Sequence, residues 1–394
     1  MTNVVLVSAV RTAVGDFGGA LAGMTPTEMG VITAREAIAR AGIDADVVDQ
    51  AFYGNVIHTE PRDMYVSRTI AVGAGVAERA PALTVNRLCG SGLQAIVSGI
   101  QALRLGEASI VLAGGAESMS RAGYLMPGIR WGQKMGETQA IDMMTAVLTD
   151  PFGNGHMGVT AENVAEKYGI GRETQDAFAV ESHRRAAAAI EAGFFKGQIV
   201  PVTLKNRKGE QIFDTDEHVR PGATLEDMAK LRAVFKKDGK VTAGNASGIN
   251  DGASSVILMT EAAAAAQGAA PMARVLAHGH AGVDPRYMGI GPVPAMQVAL
   301  ERAGLTVADL DVIESNEAFA AQACAVAAEL ELDPAKVNPN GGAVALGHPI
   351  GASGAIITTK LLHELVRTGG RYGAATMCIG GGQGIALIVE NLAR

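Results

Sequence analysis

Cysteine is scarce in this chain of 394 residues: there are 3, at positions 89, 324 and 378. An odd number, wide spacing and no C-x-x-C pair argue against a disulfide framework and against a zinc site, and they fit a reducing compartment. Also missing is any uncharged apolar run near the roughly 20 residues that span a bilayer. The opening Thr2-Asn-Val-Val-Leu-Val-Ser-Ala-Val has no basic region before its apolar residues, so it reads as a first strand and not as a signal peptide. No basic stripe occurs anywhere and the formal net charge is -7, which argues against a nucleic-acid or anionic-membrane partner. What remains is a soluble, cytoplasmic, small-molecule protein. The chain is too long for one ordinary domain, and with 48% hydrophobic residues it can bury a large core, so two domains or two fused halves are expected.

The chain is organised around Leu83-Thr-Val-Asn-Arg-Leu-Cys-Gly-Ser-Gly-Leu93. Leu83 to Val85 reads as the end of a buried strand, and the residues from Leu93 onward have helical spacing of their apolar positions. Cys89 therefore falls at a strand-to-helix turn, where N–H groups and the helix dipole favour a thiolate and where Gly90 and Gly92 admit close approach to the backbone. This stretch alone serves a nucleophile or a buried structural thiol equally well.

An internal repeat shifts the balance. Ala37 to Asp49 overlies Ala299 to Asp311 without a gap, each ending a helix at Ala-Gly and leading to a strand, Gln50 to Val56 or Val312 to Ser315. At the same offset Asn86 to Gly92 falls on His348 to Gly354, and both close with Ser-Gly before a helix. A duplicated α/β unit packed about a pseudo-twofold axis would bring Cys89 and His348 together from opposite halves. Between the halves the texture changes. Arg121 to Met144 is rich in Gly, Met and isolated charges, Asp150 to Gly158 is a loop by its turn residues, and helices follow over about Thr160 to Tyr168, with Thr160 as N-cap, and Thr174 to Ala192. Lys205 to Glu210 is a hairpin tip. The predicted division is 1–116 with 251–270 for one half, 117–250 for an inserted region covering the site, and 271–394 for the other half.

The second half holds three dense stretches. Asn316 follows a strand in Ser315-Asn-Glu-Ala-Phe. Asn338 to Gly354 combines seven Gly or Pro residues with one imidazole, and Thr376-Met-Cys-Ile-Gly-Gly-Gly sets Cys378 beside a run of glycines. Each has a bland alternative, as a helix cap, a turn histidine or a core thiol; beside Cys89 the set is hard to explain blandly. Cys324, in alanine-rich helix, is expected to be a buried core thiol.

These motifs carry a resemblance. Asn86-Arg-Leu-Cys89-Gly-Ser-Gly, Asn316-Glu-Ala-Phe, Gly347-His348-Pro-Ile-Gly and Cys378-Ile-Gly-Gly-Gly, in that order, resemble those of the thiolases over essentially the whole chain. Thr59 to Tyr65 and Arg130-Trp-Gly suggest the bacterial short-chain branch, including the broad-specificity β-ketothiolases that make polyhydroxyalkanoate precursors. The resemblance implies an α/β fold of two βαβαβαββ halves in five layers with an inserted loop domain, and a homotetramer.

It also implies reversible condensation of two acetyl-CoA to acetoacetyl-CoA and CoA, with short 3-ketoacyl-CoA as further substrates and no metal or prosthetic group. Cys89 would be acylated, His348 would take its proton, and Cys378 would exchange the proton on carbon. His348 and a water held by Asn316 would stabilise the enolate oxygen, and the N–H groups of Cys89 and Gly380 the tetrahedral intermediate. Carried over by motif, His156, Met157, Arg220 and Ser247 would line the coenzyme path, with Leu148, Leu231, Ala243, Ala318 and Phe319 as wall, and Met288 would bound the acyl pocket. Two rivals stand beside this reading. A decarboxylating ketoacyl synthase would want a second histidine where Asn316 or Cys378 stands, and a non-catalytic acyl-CoA carrier would be expected to lose Cys89, His348 or Cys378.

Overall fold

The computed structural model describes residues 2–206 and 209–394. The chain begins with β1 (Val4–Arg11), buried along its whole length as a strand covered on both faces must be. α1 (Pro26–Ala41) starts at a Thr25/Glu28 capping box with Pro26 in the first turn, and stops at Gly42 in the left-handed region. β2 (Gln50–Gly54), α2 (Val66–Gly73), β3 (Ala82–Val85), α3 (Ser91–Leu105) and β4 (Ile110–Ser118) follow. The chain then leaves the sheet through α4 (Met157–Lys167), α5 (Arg172–Glu191) and the hairpin β5 (Val202–Asn206) with β6 (Gly209–Phe213). It returns as β7 (Asn250–Thr260), which pairs antiparallel with β4 and with β1.

The second half repeats the first. β8 (Ala273–Gly282), α6 (Pro292–Ala303, stopped by left-handed Gly304), β9 (Val312–Ser315), α7 (Ala320–Glu329), α8 (Ile350–Thr368), β10 (Tyr372–Ile379) and β11 (Gln383–Asn391) take the places of β1, α1, β2, α2, α3, β4 and β7. The counterpart of β3 is reduced to a single parallel bridge from Val337 to Ile313. The strand order is β9-β10-β11-β8-β1-β7-β4-β2-β3, and the halves join where Val5 and Leu6 meet Arg274 and Ala273.

Three apolar cores define the layers. One joins α1 and α2 to the first half-sheet, one buries α3 and α8 between the half-sheets, and one joins α6 to the second. α3 and α8 approach through glycine: a Cβ on Gly92 would lie 3.0 Å from Gly351 O and 2.8 Å from Ala355 N. The duplicated turns therefore face each other at backbone contact distance.

Three sequence expectations are corrected. β3 is an edge strand with Leu83 53% exposed, because none of the described residues pairs with its outer side. Thr160 lies inside α4, where its hydroxyl bonds Met157 O; the N-cap is His156, whose Nδ1 accepts from Gly158 N. Cys324 is half-buried and lines a mostly apolar cavity of about 320 Å³ between α5 and α7. Of the expected hairpin tip, residues 207–208 lie outside the described residues. No described helix is long and apolar enough to cross a membrane.

Candidate active site

Cys89 sits one residue before Gly90, the N-cap of α3. The turn leading to it is built by its neighbours: Asn86 Oδ1 accepts from Leu88 N at 3.1 Å, and Ser91 Oγ accepts from Arg87 N at 2.8 Å and donates to Leu88 O at 2.6 Å. Leu88 takes φ +48°, a left-handed conformation that costs a branched side chain about 1 kcal/mol or more and that the surrounding bonds hold in place. The backbone N–H groups of Cys89 itself and of Gly380 act on the sulfur in the sense that favours its charged form. Gly380 is closely packed: a Cβ there would stand 3.1 Å from Leu88 Cδ1 and 3.4 Å from Met157 Cε.

The resting sulfur is a thiol, contrary to the thiolate expected from the helix terminus. Burial pushes its pKa up to about 11, and the buried Glu117 carboxyl adds to the rise, outweighing the two N–H bonds. Cys378, at the end of β10, is 1% exposed; burial and the neighbouring Cys89 push its thiol higher still. His348 is neutral, its pKa lowered to about 4 by burial.

His348 is presented by the turn before α8. Its Nδ1 is 2.6 Å from Ser353 Oγ, and that hydroxyl donates to Pro349 O at 2.9 Å. A hydroxyl has one proton, so Nδ1 carries the imidazole hydrogen and Nε2 is bare. Asn316 Nδ2 stands 3.5 Å from Nε2. Asn316 is held in turn by Asn338, whose amide brackets Ser315 N at 2.9 Å and Ser315 O at 2.8 Å. Nothing in the sequence reading singled out Asn338, Ser353 or Leu88, because their role is to bind neighbouring backbone.

A cavity of about 570 Å³ leads to His348. Of the residues expected along the coenzyme path, Leu148, His156, Arg220, Ala243, Ser247 and Phe319 line it. Leu231 lines an adjoining cavity of about 460 Å³ that shares His218, Arg220 and Ala243. Met157, Met288 and Ala318 pack with Cys378 in a buried apolar cluster at the inner end. Sequence reasoning missed Phe235, which stacks on His156 at 4.8 Å and meets Phe319 edge-on at 6.3 Å. Among the described residues no cluster of three His, Cys, Asp or Glu could hold a metal ion.

The order and placement of these four motifs match a known family. The thiolase N-terminal domain model matches residues 4–262, and the thiolase C-terminal domain model matches residues 269–391. The chain belongs to the thiolase family. It is 63% identical over 391 residues to the β-ketothiolase BktB of Cupriavidus necator, covering 99% of each, and 52% identical to an acetyl-CoA acetyltransferase of Pseudomonas aeruginosa, covering 99% of this thiolase and 100% of that one. Human mitochondrial 3-ketoacyl-CoA thiolase, solved alone and with CoA, superposes at TM-score 0.97 with 46% and 45% identity; the coverage is 99% of both chains for the first, and 100% of this thiolase and 98% of that chain for the second.

Proposed function

We propose that this thiolase is an acetyl-CoA C-acetyltransferase that also handles short 3-ketoacyl-CoA. One observation carries the assignment of roles: the turn after Cys378 packs on the Cys89 turn, Gly90 lying against Ile379 and a Cβ on Gly380 meeting Leu88 Cδ1 at 3.1 Å, which brings the two thiols to one place. A nucleophile that must be acylated and a separate group that must take a proton from carbon need this arrangement.

Proton bookkeeping then orders the steps. Cys89 attacks the thioester carbonyl while His348 Nε2 takes its proton, and the oxyanion forms against the N–H groups of Cys89 and Gly380. The C–S bond to coenzyme A breaks, and the departing sulfur takes a proton from Cys378. That leaves an acyl group on Cys89, an imidazolium at His348 and a thiolate at Cys378. The thiolate removes the α-proton of a second acetyl-CoA, whose enolate oxygen faces the charged Nε2–H and the Asn316 side. Carbon attack on acyl-Cys89 and collapse release acetoacetyl-CoA, and the Cys89 sulfur regains its proton from His348. Each charge exists only during turnover, as burial of all three groups favours their neutral forms.

The chemistry as proposed calls for no metal or prosthetic group. Leu148, His156, Arg220, Ser247 and the Phe235–Phe319 pair would receive the coenzyme. We assign the halves to 1–116 with 251–270 and to 271–394, the loop domain to 117–250, a cytoplasmic location, and a homotetramer. The deciding experiment follows the ultraviolet absorbance of the magnesium enolate of acetoacetyl-CoA on adding CoA. A fall that requires CoA is expected. No fall would favour an acyl-CoA carrier.

A further inference from the structure

Asn250, the first residue of β7, is fully buried. Its Oδ1 accepts the backbone N–H of His348 at 2.9 Å, and its Nδ2 donates to Gly15 O at 3.1 Å and to Asp16 Oδ1 at 3.2 Å. The same Asp16 oxygen bonds Nδ1 of His218, and both residues line the cavity that leads to His348. A line of contacts thus runs from His218, beside Arg220, through Asp16 and Asn250 to the backbone of the proposed base.

The line has little slack. Gly347 is at φ +99°, where a side chain is strained, and a Cβ there would meet Asn250 Cγ at 2.5 Å. A Cβ on Gly248 would lie 2.8 Å from both Asn250 Oδ1 and His218 Cε1. The amide therefore has no room to turn away from His348. Ser353, which holds the imidazole ring, belongs to the same half as His348, whereas Asn250 reaches it from the end of the inserted region, where the chain re-enters the sheet as β7, backed by Asp16 of the other half. The His348 residue is 5% exposed, so loss of the Asn250 oxygen leaves its buried N–H without that acceptor, and the peptide that carries the imidazole is no longer fixed.

We propose that Asn250 is a positioning residue for His348, and that Asp16 and His218 form the arm that holds the Asn250 amide in register. The proposal rests on the reading of Cys89 as nucleophile and His348 as its base. Its natural readout is the alkylation of Cys89 by iodoacetamide without coenzyme, followed by peptide mass spectrometry, since this depends on His348 and not on coenzyme binding.

Asn250→Ala should slow Cys89 alkylation and lower the kcat of thiolysis together, by roughly 10- to 100-fold as expected for a misplaced catalytic group, while KM for acetoacetyl-CoA changes less than about threefold. Asn250→Asp alone sets two carboxylates against each other and should be as poor. The swap Asp16→Asn with Asn250→Asp restores a donor–acceptor pair between the two side chains but leaves Gly15 O without its donor, so it should recover part of both rates relative to Asn250→Asp. His218→Ala should slow alkylation too, although no coenzyme is present. An alkylation rate unchanged in Asn250→Ala, or a swap no better than Asn250→Asp in variants that melt as the parent does, overturns the proposal. If instead the parent alkylates Cys89 in a His348-dependent way but shows no thiolysis, the function reading fails while the arm stands.

Discussion

Ser91 and Ser353 occupy equivalent places in the two halves, and each hydroxyl bridges the start of its helix back to the turn before it. Ser91 Oγ accepts from Arg87 N at 2.8 Å and donates to Leu88 O at 2.6 Å; Ser353 Oγ meets His348 Nδ1 at 2.6 Å and donates to Pro349 O at 2.9 Å. One duplicated device thus shapes the nucleophile's turn in one half and sets the base's tautomer in the other. Ser353→Ala removes the acceptor for Nδ1–H and lets the proton move to Nε2, where it blocks proton uptake from Cys89. A hydrogen bond of about 1 to 1.5 kcal/mol corresponds to roughly a tenfold loss in kcat, which Ser353→Thr should largely restore. Steady-state thiolysis of the two variants checks this.

Acylation of Cys89 is obligatory in the proposed cycle. Incubation with acetyl-CoA, acid quench and peptide mass spectrometry should place the acetyl group on the Cys89 peptide. An acetyl group found only on Cys324 or Cys378 contradicts the assignment.

Cys378→Ala separates the half-reactions. It leaves the Cys89 thiol, the bare Nε2 of His348 and the N–H donors, so acyl exchange between acetyl-CoA and labelled CoA survives in part. Deuterium uptake into the acetyl methyl group and condensation should fall together, by about 10²-fold or more, the usual contribution of a general acid/base. Loss of acyl exchange as complete as in Cys89→Ala, with methyl exchange retained, would reverse the two roles.

Stability should decline below neutral pH partly through His348. Its folded pKa, about 4, lies below the ordinary 6.5, so its contribution is fully present above pH 6.5 and is lost as pH falls toward 4. At about 1.4 kcal/mol per unit the span is about 3 kcal/mol. Glu117 works in the opposite sense: burial raises its pKa to about 8, so its contribution fades as pH rises from about 4.5 to 8. Urea unfolding at pH 7 and pH 4.5 should show parent protein losing more stability between the two than His348→Gln; equal losses would contradict the neutral, buried state of the ring.

Assembly is tested at Trp131. This side chain is 85% exposed, and Met135 is 88% exposed, on a segment that also bares Tyr124, Leu125 and Ile129. An apolar patch of this kind on a single chain marks an interface. Light scattering should report four chains, and Trp131→Ser should shift the distribution to smaller species. A monomer at micromolar concentration in the parent would exclude the tetramer.

Local chemistry was legible in the sequence wherever it is written in adjacent residues. The gapless overlay of Ala37–Asp49 on Ala299–Asp311 announced the duplication because a left-handed glycine must end each helix, and Gly42 and Gly304 do so. Cys89, Asn316, His348 and Cys378 stood out because turns at strand and helix ends concentrate Gly, Pro and one reactive group. Tertiary structure decided the rest. Only packing shows that Cys89 rests as a thiol, since burial and Glu117, 28 positions away along the chain, outweigh the local N–H donors. Only long-range contact joins Asn250 to His348 or Phe235 to His156. A sequence displays which groups are neighbours along the chain, whereas pKa values, tautomers and reach depend on which groups the fold brings together and how much water it removes from between them.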